Sequence, residues 1–360
     1  MPPSPLIDQP RSVRDEDRLD LSAIMDWLAS ALPTRPELHA QPEQRQFPGG
    51  ASNLTYLLSW SDTQLVLRTA PPGTKARSAH DMGREVRVLQ GLAGHFPVPA
   101  VIAHCTDEAV MGREFYLMNR VEGLILRQDL PQGLSLPAPQ ARTLCETWLD
   151  HLLTLHQLDP AAAGLSELGR REGYVRRQVV GWSKRYRQAR TPDAPDFESV
   201  MAWLDANQPE DVSTCLIHND WRFDNLVLDP SDPTRVLGVL DWEMSTLGDP
   251  LMDLGSALAY WVQADDPPPM HLMRRQPTHL PGMPQRAELV ERYLARAGLT
   301  DEIPSFLFYE VFGLFRLAVI LQQIYYRFFH KQTSNPIFSG FVHMAAFLEQ
   351  RCLARLVAEA

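Results

Sequence analysis

Asp220, Asn225 and Asp241 are oxygen-bearing side chains whose order and spacing suit phosphoryl transfer. Asp220 and Asn225 share one short segment, His218-Asn219-Asp220-Trp221-Arg222-Phe223-Asp224-Asn225, and Asp241 follows the next apolar runs. That set offers one carboxylate to take a proton, with an amide oxygen and a second carboxylate that suit Mg²⁺. A base, an Asn and a metal-binding Asp in this order are the working part of protein kinases. Taken singly, Asp220 and Asp224 would be turn caps and Asp241 a chance strand end. Taken together, their order favours phosphotransfer.

These residues need strands to hold them. Cys215-Leu216-Ile217 precedes the segment and Leu226-Val227-Leu228 follows it. A Pro/Asp turn at 229–233 then leads to Val236-Leu237-Gly238-Val239-Leu240, which ends on Asp241. The pattern predicts a loop, a short hairpin and a carboxylate at a strand end. Upstream, Phe47 enters Pro48-Gly49-Gly50-Ala51-Ser52-Asn53, and a strand run follows at 54–60. A strand, a glycine turn and a second strand can lay backbone N–H groups over a triphosphate. Gly49, Gly50, Ser52 and Asn53 are the candidates for that contact, with a plain hairpin turn as the alternative. A third strand at 64–68 ends in Arg68, and a helix over about 79–92 carries Glu85. Kinases pair a strand cation with a helix Glu to hold the α- and β-phosphates. Arg68 and Glu85 occupy those positions; the alternative is a surface arginine and a solvated acid. A strand at 114–121 leads into Val121-Glu122-Gly123, the expected crossing between lobes, where backbone groups from Asn119 to Val121 would meet an adenine edge.

Three stretches carry a resemblance. The His218–Asn225 segment, Leu240-Asp241-Trp242-Glu243 and Gly248-Asp249-Pro250-Leu251-Met252-Asp253-Leu254 together resemble the aminoglycoside phosphotransferase family. More narrowly they resemble the kinase-like domain of acyl-CoA dehydrogenase family members ten and eleven. Val66-Leu67-Arg68 before Pro71-Pro72-Gly73 is similar to that group as well. The expected fold is α+β and two-lobed, protein-kinase-like: a small antiparallel β lobe for nucleotide over 21–121 and a large, mostly helical lobe over 122–360, after a loose tail at 1–20. ATP and Mg²⁺ are the expected cofactors. Asp220 would serve as base, Asn225 and Asp241 as metal ligands, and Arg222 would either neutralise a phosphate or brace the loop. Free-standing bacterial relatives are the 4-hydroxyacyl-CoA kinases of levulinate and 4-hydroxyvalerate catabolism, so the resemblance implies a coenzyme A thioester as acceptor. The broad family usually has Gly where this chain has Asn219.

Composition narrows the partners. The chain has 360 residues and a net charge of −10, which argues against a general nucleic-acid binder. Its three lysines leave nearly all positive charge to arginine. Four scattered cysteines without a CxxC pair fit a reduced, cytoplasmic setting. No signal-peptide pattern opens the sequence, and the apolar run at 306–329 is broken by polar residues, so it reads as a buried helix rather than a membrane span. Residues 170–190 hold eight cations against one acid, with Tyr174, Trp182 and Tyr186 interleaved. Tyr174, Arg177, Trp182 and Arg185 are candidate acceptor contacts. A solvated helix face is the alternative, but an island of this sign in an acidic protein suits the phosphates of coenzyme A better than a polycationic antibiotic. His156 is expected to be structural, Asp249 a helix N-cap, Asp253 a brace for the loop, and the Pro-rich 265–285 a lid or substrate loop. The rivals are a kinase for another small alcohol and, motivated by Asn219 and Arg68, a pseudokinase that binds without turnover.

Overall fold

The computed structural model describes residues 6–47, 53–71 and 81–358. Five antiparallel strands form the first sheet in the order β1-β2-β3-β5-β4: β1 (Glu43–Gln46), β2 (Leu54–Ser59), β3 (Gln64–Thr69), β4 (Val101–Cys105) and β5 (Phe115–Asn119). Around it lie α1 (Ser22–Ala31), α2 (Met82–Leu92) and the short α3 (Glu108–Met111). Side chains alternate across the sheet, as a period of two requires. Tyr56, Leu58, Leu65 and Leu67 face a cluster built from Val13, Leu19, Ile24 and Leu28. Leu57, Val66, Tyr116 and Met118 face α2 and the main core. Covering both faces explains why these strands are apolar at nearly every position.

That outer layer corrects one expectation. Residues 6–20 are packed rather than loose. Arg11 bridges Gln46, and buried Asp17 accepts from Gln46 Nε2 at 2.9 Å while its carbonyl accepts from Tyr56 Oη at 2.7 Å. The polar composition of the segment hides the few apolar residues that seal the sheet.

After Leu124, which bridges Leu228, the chain becomes mostly helical. The helices are α4 (Ala138–Gln157), α5 (Tyr174–Ala189), α6 (Glu198–Ala206), α7 (Pro250–Leu258), α8 (Pro268–Leu272), α9 (Arg286–Ala297), α10 (Leu307–Phe329) and α11 (Phe341–Ala358). Two small ladders hold the site: β6 (Cys215–Ile217) pairs with β9 (Thr246–Gly248), and β7 (Leu226–Leu228) with β8 (Val236–Val239). The architecture is the expected two-lobed, protein-kinase-like α+β fold. α10 is long and apolar enough to cross a bilayer, yet it is packed among α5, α7 and α11, with Arg316 and Gln322 buried and hydrogen-bonded inside the lobe.

Two glycines decide how α7 meets α10. A Cβ on Gly313 would overlap the carbonyl of Gly255, and one on Gly255 would overlap the carbonyl of Tyr309. The helices therefore cross backbone against backbone. Gly313→Ala should lower stability by about 1–3 kcal/mol through overpacking, read as a lower Tm. It should also lower kcat, because α7 carries Asp253. An unchanged Tm would show that the crossing has slack to absorb a methyl group.

Candidate active site

The loop at 218–225 is fixed at its start by a buried carboxylate. Asp249 caps α7 by accepting from the N–H groups of Leu251 and Met252, with Pro250 in the first turn. One turn on, Asp253 is fully buried and accepts from the N–H of His218 and of Asn219, each at 2.8 Å. Its Oδ2 also lies 3.1 Å from His156 Nε2, whose Nδ1 is 2.7 Å from Tyr293 Oη. Burial pushes the Asp253 carboxyl up, but its hydrogen bond and charge contact with His156, then His218, outweigh that and hold it below the usual carboxylate range. His218 Nδ1 accepts from the Asp220 N–H at 3.2 Å, so its Nε2–H is the donor to Leu240 O at 3.0 Å. The histidine thus ties the loop to the residue before Asp241.

Asn219 has φ 65°, in the left-handed region that favours glycine and, next, asparagine. Its side chain then adds two contacts glycine could not make. Oδ1 accepts from Tyr174 Oη at 3.2 Å, and Nδ2 donates to Met244 O at 3.0 Å. Its own carbonyl accepts from Arg316 Nη2 at 2.8 Å.

Asp220 comes next, its side chain 19% exposed. Its Oδ2 accepts from Asn225 Nδ2 at 3.0 Å and pairs with Arg222 Nη2 at 3.0 Å. Asn225 Nδ2 also donates to the Asp220 carbonyl at 2.8 Å, which leaves the amide oxygen as the group with lone pairs to spare. Arg222 donates from Nε to Asp224 at 2.9 Å and lies 4.8 Å over the ring of Tyr260. Of its two expected roles, the contacts made are those of a loop brace.

On the nucleotide side, Arg68 is a buried fork. Nη1 lies 3.2 Å from Glu85; Nη2 lies 2.9 Å from Asp241 and 3.6 Å from Glu243. Burial pushes the Asp241 carboxyl up, but the charge and hydrogen bond of Arg68, with His218 and Arg222, hold it below the usual range. Burial raises Glu85 despite Arg68 beside it. Asp241 itself has φ 68°, a strained setting for a side chain that must aim into a cleft. Arg84 on α2 donates to Ser245 O from both Nη2 (2.7 Å) and Nε (3.2 Å), so the helix bearing Glu85 is tied to the segment after Asp241.

The remaining expected residues divide. Asn53 reaches Glu243, Nδ2 to Oε2 at 2.5 Å, whereas Gly49, Gly50 and Ser52 lie outside the described residues. Asn119 ends β5 with its N–H given to Ala100 O at 2.9 Å, and Val121 packs against Gly238. Tyr174, expected to touch the acceptor, is instead buried and holds Asn219. Trp182 is also buried and carries Arg185 over its ring, while Arg177 is half-buried and donates to Arg170 O. The 265–285 stretch is pinned: Gln276 Oε1 accepts from the Phe223 N–H at 2.8 Å, and Asp266 pairs with Arg286 and Arg351. Glu243, Tyr260 and Arg316 were not among the expected site residues. Glu243 could have been flagged by its place two residues after Asp241.

Known proteins share this design. The model of the phosphotransferase enzyme family matches residues 43–297. Mouse acyl-CoA dehydrogenase family member 10 is 37% identical over 90% of the chain, which spans only 30% of that relative's length. A solved structure from Ralstonia eutropha jmp134, assigned to the aminoglycoside phosphotransferases, is 31% identical with TM-score 0.74, covering 93% of this chain and 99% of that one. At the level of fold, a thermostable mutant of aminoglycoside phosphotransferase APH(4)-Ia in complex with AMP-PNP and hygromycin B matches with TM-score 0.56 at 14% identity, over 94% of this chain and 99% of that one. With loop, carboxylates and cation fork brought together and the family model spanning both lobes, the chain belongs to the phosphotransferase enzyme family.

Proposed function

We propose that the protein transfers the γ-phosphoryl group of ATP to the alcohol of a coenzyme A thioester, with a 4-hydroxyacyl-CoA as the acceptor. The observation that carries this is the sign of the charge around Asp220. Arg316 reaches the Asn219 carbonyl beside Asp220, and although burial and Asp220 push the Tyr260 phenol up, the charges of Arg222, Arg316 and Arg275 pull it down. A polycationic antibiotic would meet like charges there, whereas an anionic handle would meet opposite ones. Similarity to acyl-CoA dehydrogenase family member 10 supports an acyl-CoA acceptor.

In this reading the acceptor oxygen bonds to the γ-phosphorus as the bond to the β,γ-bridging oxygen breaks, the hydroxyl proton passes to Asp220, and ADP leaves. Arg68 holds phosphate oxygens from the other side. The amide oxygen of Asn225 and the carboxylate of Asp241 are the hard donors that Mg²⁺ takes. When bound, Mg²⁺ neutralises charge on the β- and γ-oxygens.

The test is kcat/KM for ATP consumption with a 4-hydroxyacyl-CoA, the free 4-hydroxy acid and an aminoglycoside. The thioester should exceed the acid by about 100-fold or more, since a remote handle positions the hydroxyl. Preference for the aminoglycoside, or equal use of acid and thioester, would overturn the assignment. Nucleotide binding without turnover of any acceptor would make the protein a pseudokinase.

A further inference from the structure

Arg316 lies in the middle of α10 and is 5% exposed. A guanidinium taken out of water is costly unless a carboxylate or an equivalent partner faces it. Arg68 and Arg222 obey that rule, each with carboxylates on its fork. Arg316 does not. Among the described residues it has no carboxylate within ion-pair distance. It donates to the carbonyl of Asn219 and lies 5.2 Å over the indole of Trp182. Arg185, three residues after Trp182 on α5, lies over the same ring at 4.6 Å and also lacks a carboxylate partner among the described residues. Burial, and then the charge of Arg316, pull its guanidinium down.

Elsewhere on α5, Arg187 pairs with Glu198, and Arg177 donates to Arg170 O. What sets Arg185 and Arg316 apart is that they come from two different helices to one indole, that of Trp182. Two like charges on one aromatic platform raise each other's energy, and an anion placed between them relieves that repulsion. Guanidinium forks match phosphate oxygens in pairs. The order Asn219, Arg316, Trp182, Arg185 leads from the catalytic loop out to the exposed face of α5.

We propose that Arg316 and Arg185, bedded on Trp182, form an anion subsite that takes the diphosphate of a coenzyme A thioester and so sets its hydroxyl against Asp220. This rests on the acceptor assigned above. The pantetheine arm separates the diphosphate from the reacting hydroxyl, so binding energy gained at the subsite is realised away from the chemistry.

The experiment keeps the 4-hydroxyacyl group constant and varies the handle: N-acetylcysteamine with no phosphate, 4′-phosphopantetheine with one, dephospho-coenzyme A with the diphosphate, and coenzyme A. In the wild type, kcat/KM should rise by about tenfold or more at the first phosphate-bearing handles. Arg185→Gln should lower the ratio of kcat/KM for the coenzyme A thioester to that for the N-acetylcysteamine thioester by about tenfold, more at low salt than at high. Arg316→Gln should lower the same ratio, with a double variant that falls short of additivity. Arg316 also holds the Asn219 carbonyl, so if Arg316→Gln fails to fold, the surface change at Arg185 decides alone. Equal ratios in wild type and Arg185→Gln would overturn the subsite while leaving the acceptor reading intact. A gain confined to full coenzyme A would overturn the diphosphate assignment. If no thioester is phosphorylated on any handle, the acceptor reading falls and takes the subsite with it.

Discussion

Asp220→Ala should lower kcat by about 10²–10⁴-fold, the range lost when a positioned general base is removed, while ATP binding stays close to wild type. The geometry explains why the loss should be chemical rather than structural. Asp220 Oδ2 is held by Asn225 and Arg222, and the side chain keeps access to the cleft. Removing it does not strand its neighbours. Arg222 retains Asp224 at 2.9 Å, and Asn225 retains the Asp220 carbonyl at 2.8 Å. The loop is anchored elsewhere, by Asp253 at its start and by Gln276 at Phe223. A loss of that size corresponds to about 2.7–5.5 kcal/mol of transition-state stabilisation. The measurements are single-turnover rate, nucleotide affinity and Tm on the same preparation. A variant with near-normal kcat and a depressed Tm would mean that Asp220 is a turn cap, the simpler reading of that residue taken alone.

The catalytic segment was legible because its chemistry is local. Histidine, two carboxylates and two amides lie within eight residues, bounded by β-branched and leucine-rich runs that form short strands. Asp249 and Asp253 were legible for the same reason: an Asp before Pro starts a helix, and an acid one turn later faces the preceding loop. Asn219 looked like a departure from a glycine position, and its left-handed backbone shows why the substitution is tolerated. What was not legible needed tertiary contacts. Arg316 read only as an interruption of an apolar helix, because nothing nearby in sequence reveals that it meets Asn219 and Trp182. Tyr174 sat among cations and read as a ligand contact, yet its phenol is consumed by the catalytic loop. The irregular 265–285 stretch read as a lid, but a buried glutamine and a buried Asp266 pin it in place. Polar residues at 6–20 read as a tail because the few apolar ones that cover the sheet are diluted.

Arg68→Ala should cost both nucleotide use and stability, and the two losses should separate with pH. In the wild type the fork joins Glu85, which is 1% exposed, to Asp241 and Glu243. Without it three carboxylates face one another with no cation between them. Breaking a buried pair from one side costs about 3–5 kcal/mol. Burial already raises Glu85 while Arg68 opposes the shift, so removing Arg68 raises it further. A carboxyl raised in the folded state contributes stability below its unfolded value that is lost as pH rises through the folded value. The variant should therefore be least stable relative to wild type above neutrality. Its deficit should shrink as pH falls toward 5 and Glu85 takes a proton. The wild type carries the opposite dependence at Asp241, whose lowered carboxyl adds stability above the unfolded value that is lost as pH falls through the folded one. That loss sets in only below the unfolded carboxylate range, about pH 4, so between pH 8 and 5 the narrowing of the gap comes from Glu85. At pH 7.5, kcat/KM for ATP should fall by roughly 100-fold, the scale of losing one charged donor to a phosphate oxygen. Arg68→Lys should fall between, since one ammonium keeps the charge but cannot reach Glu85 and a phosphate together. Tm from pH 5 to 8 and ATP kinetics on all three proteins decide the matter. Wild-type ATP kinetics in Arg68→Ala, with only the stability loss, would make Arg68 an anchor of the lobe and remove it from the phosphate site.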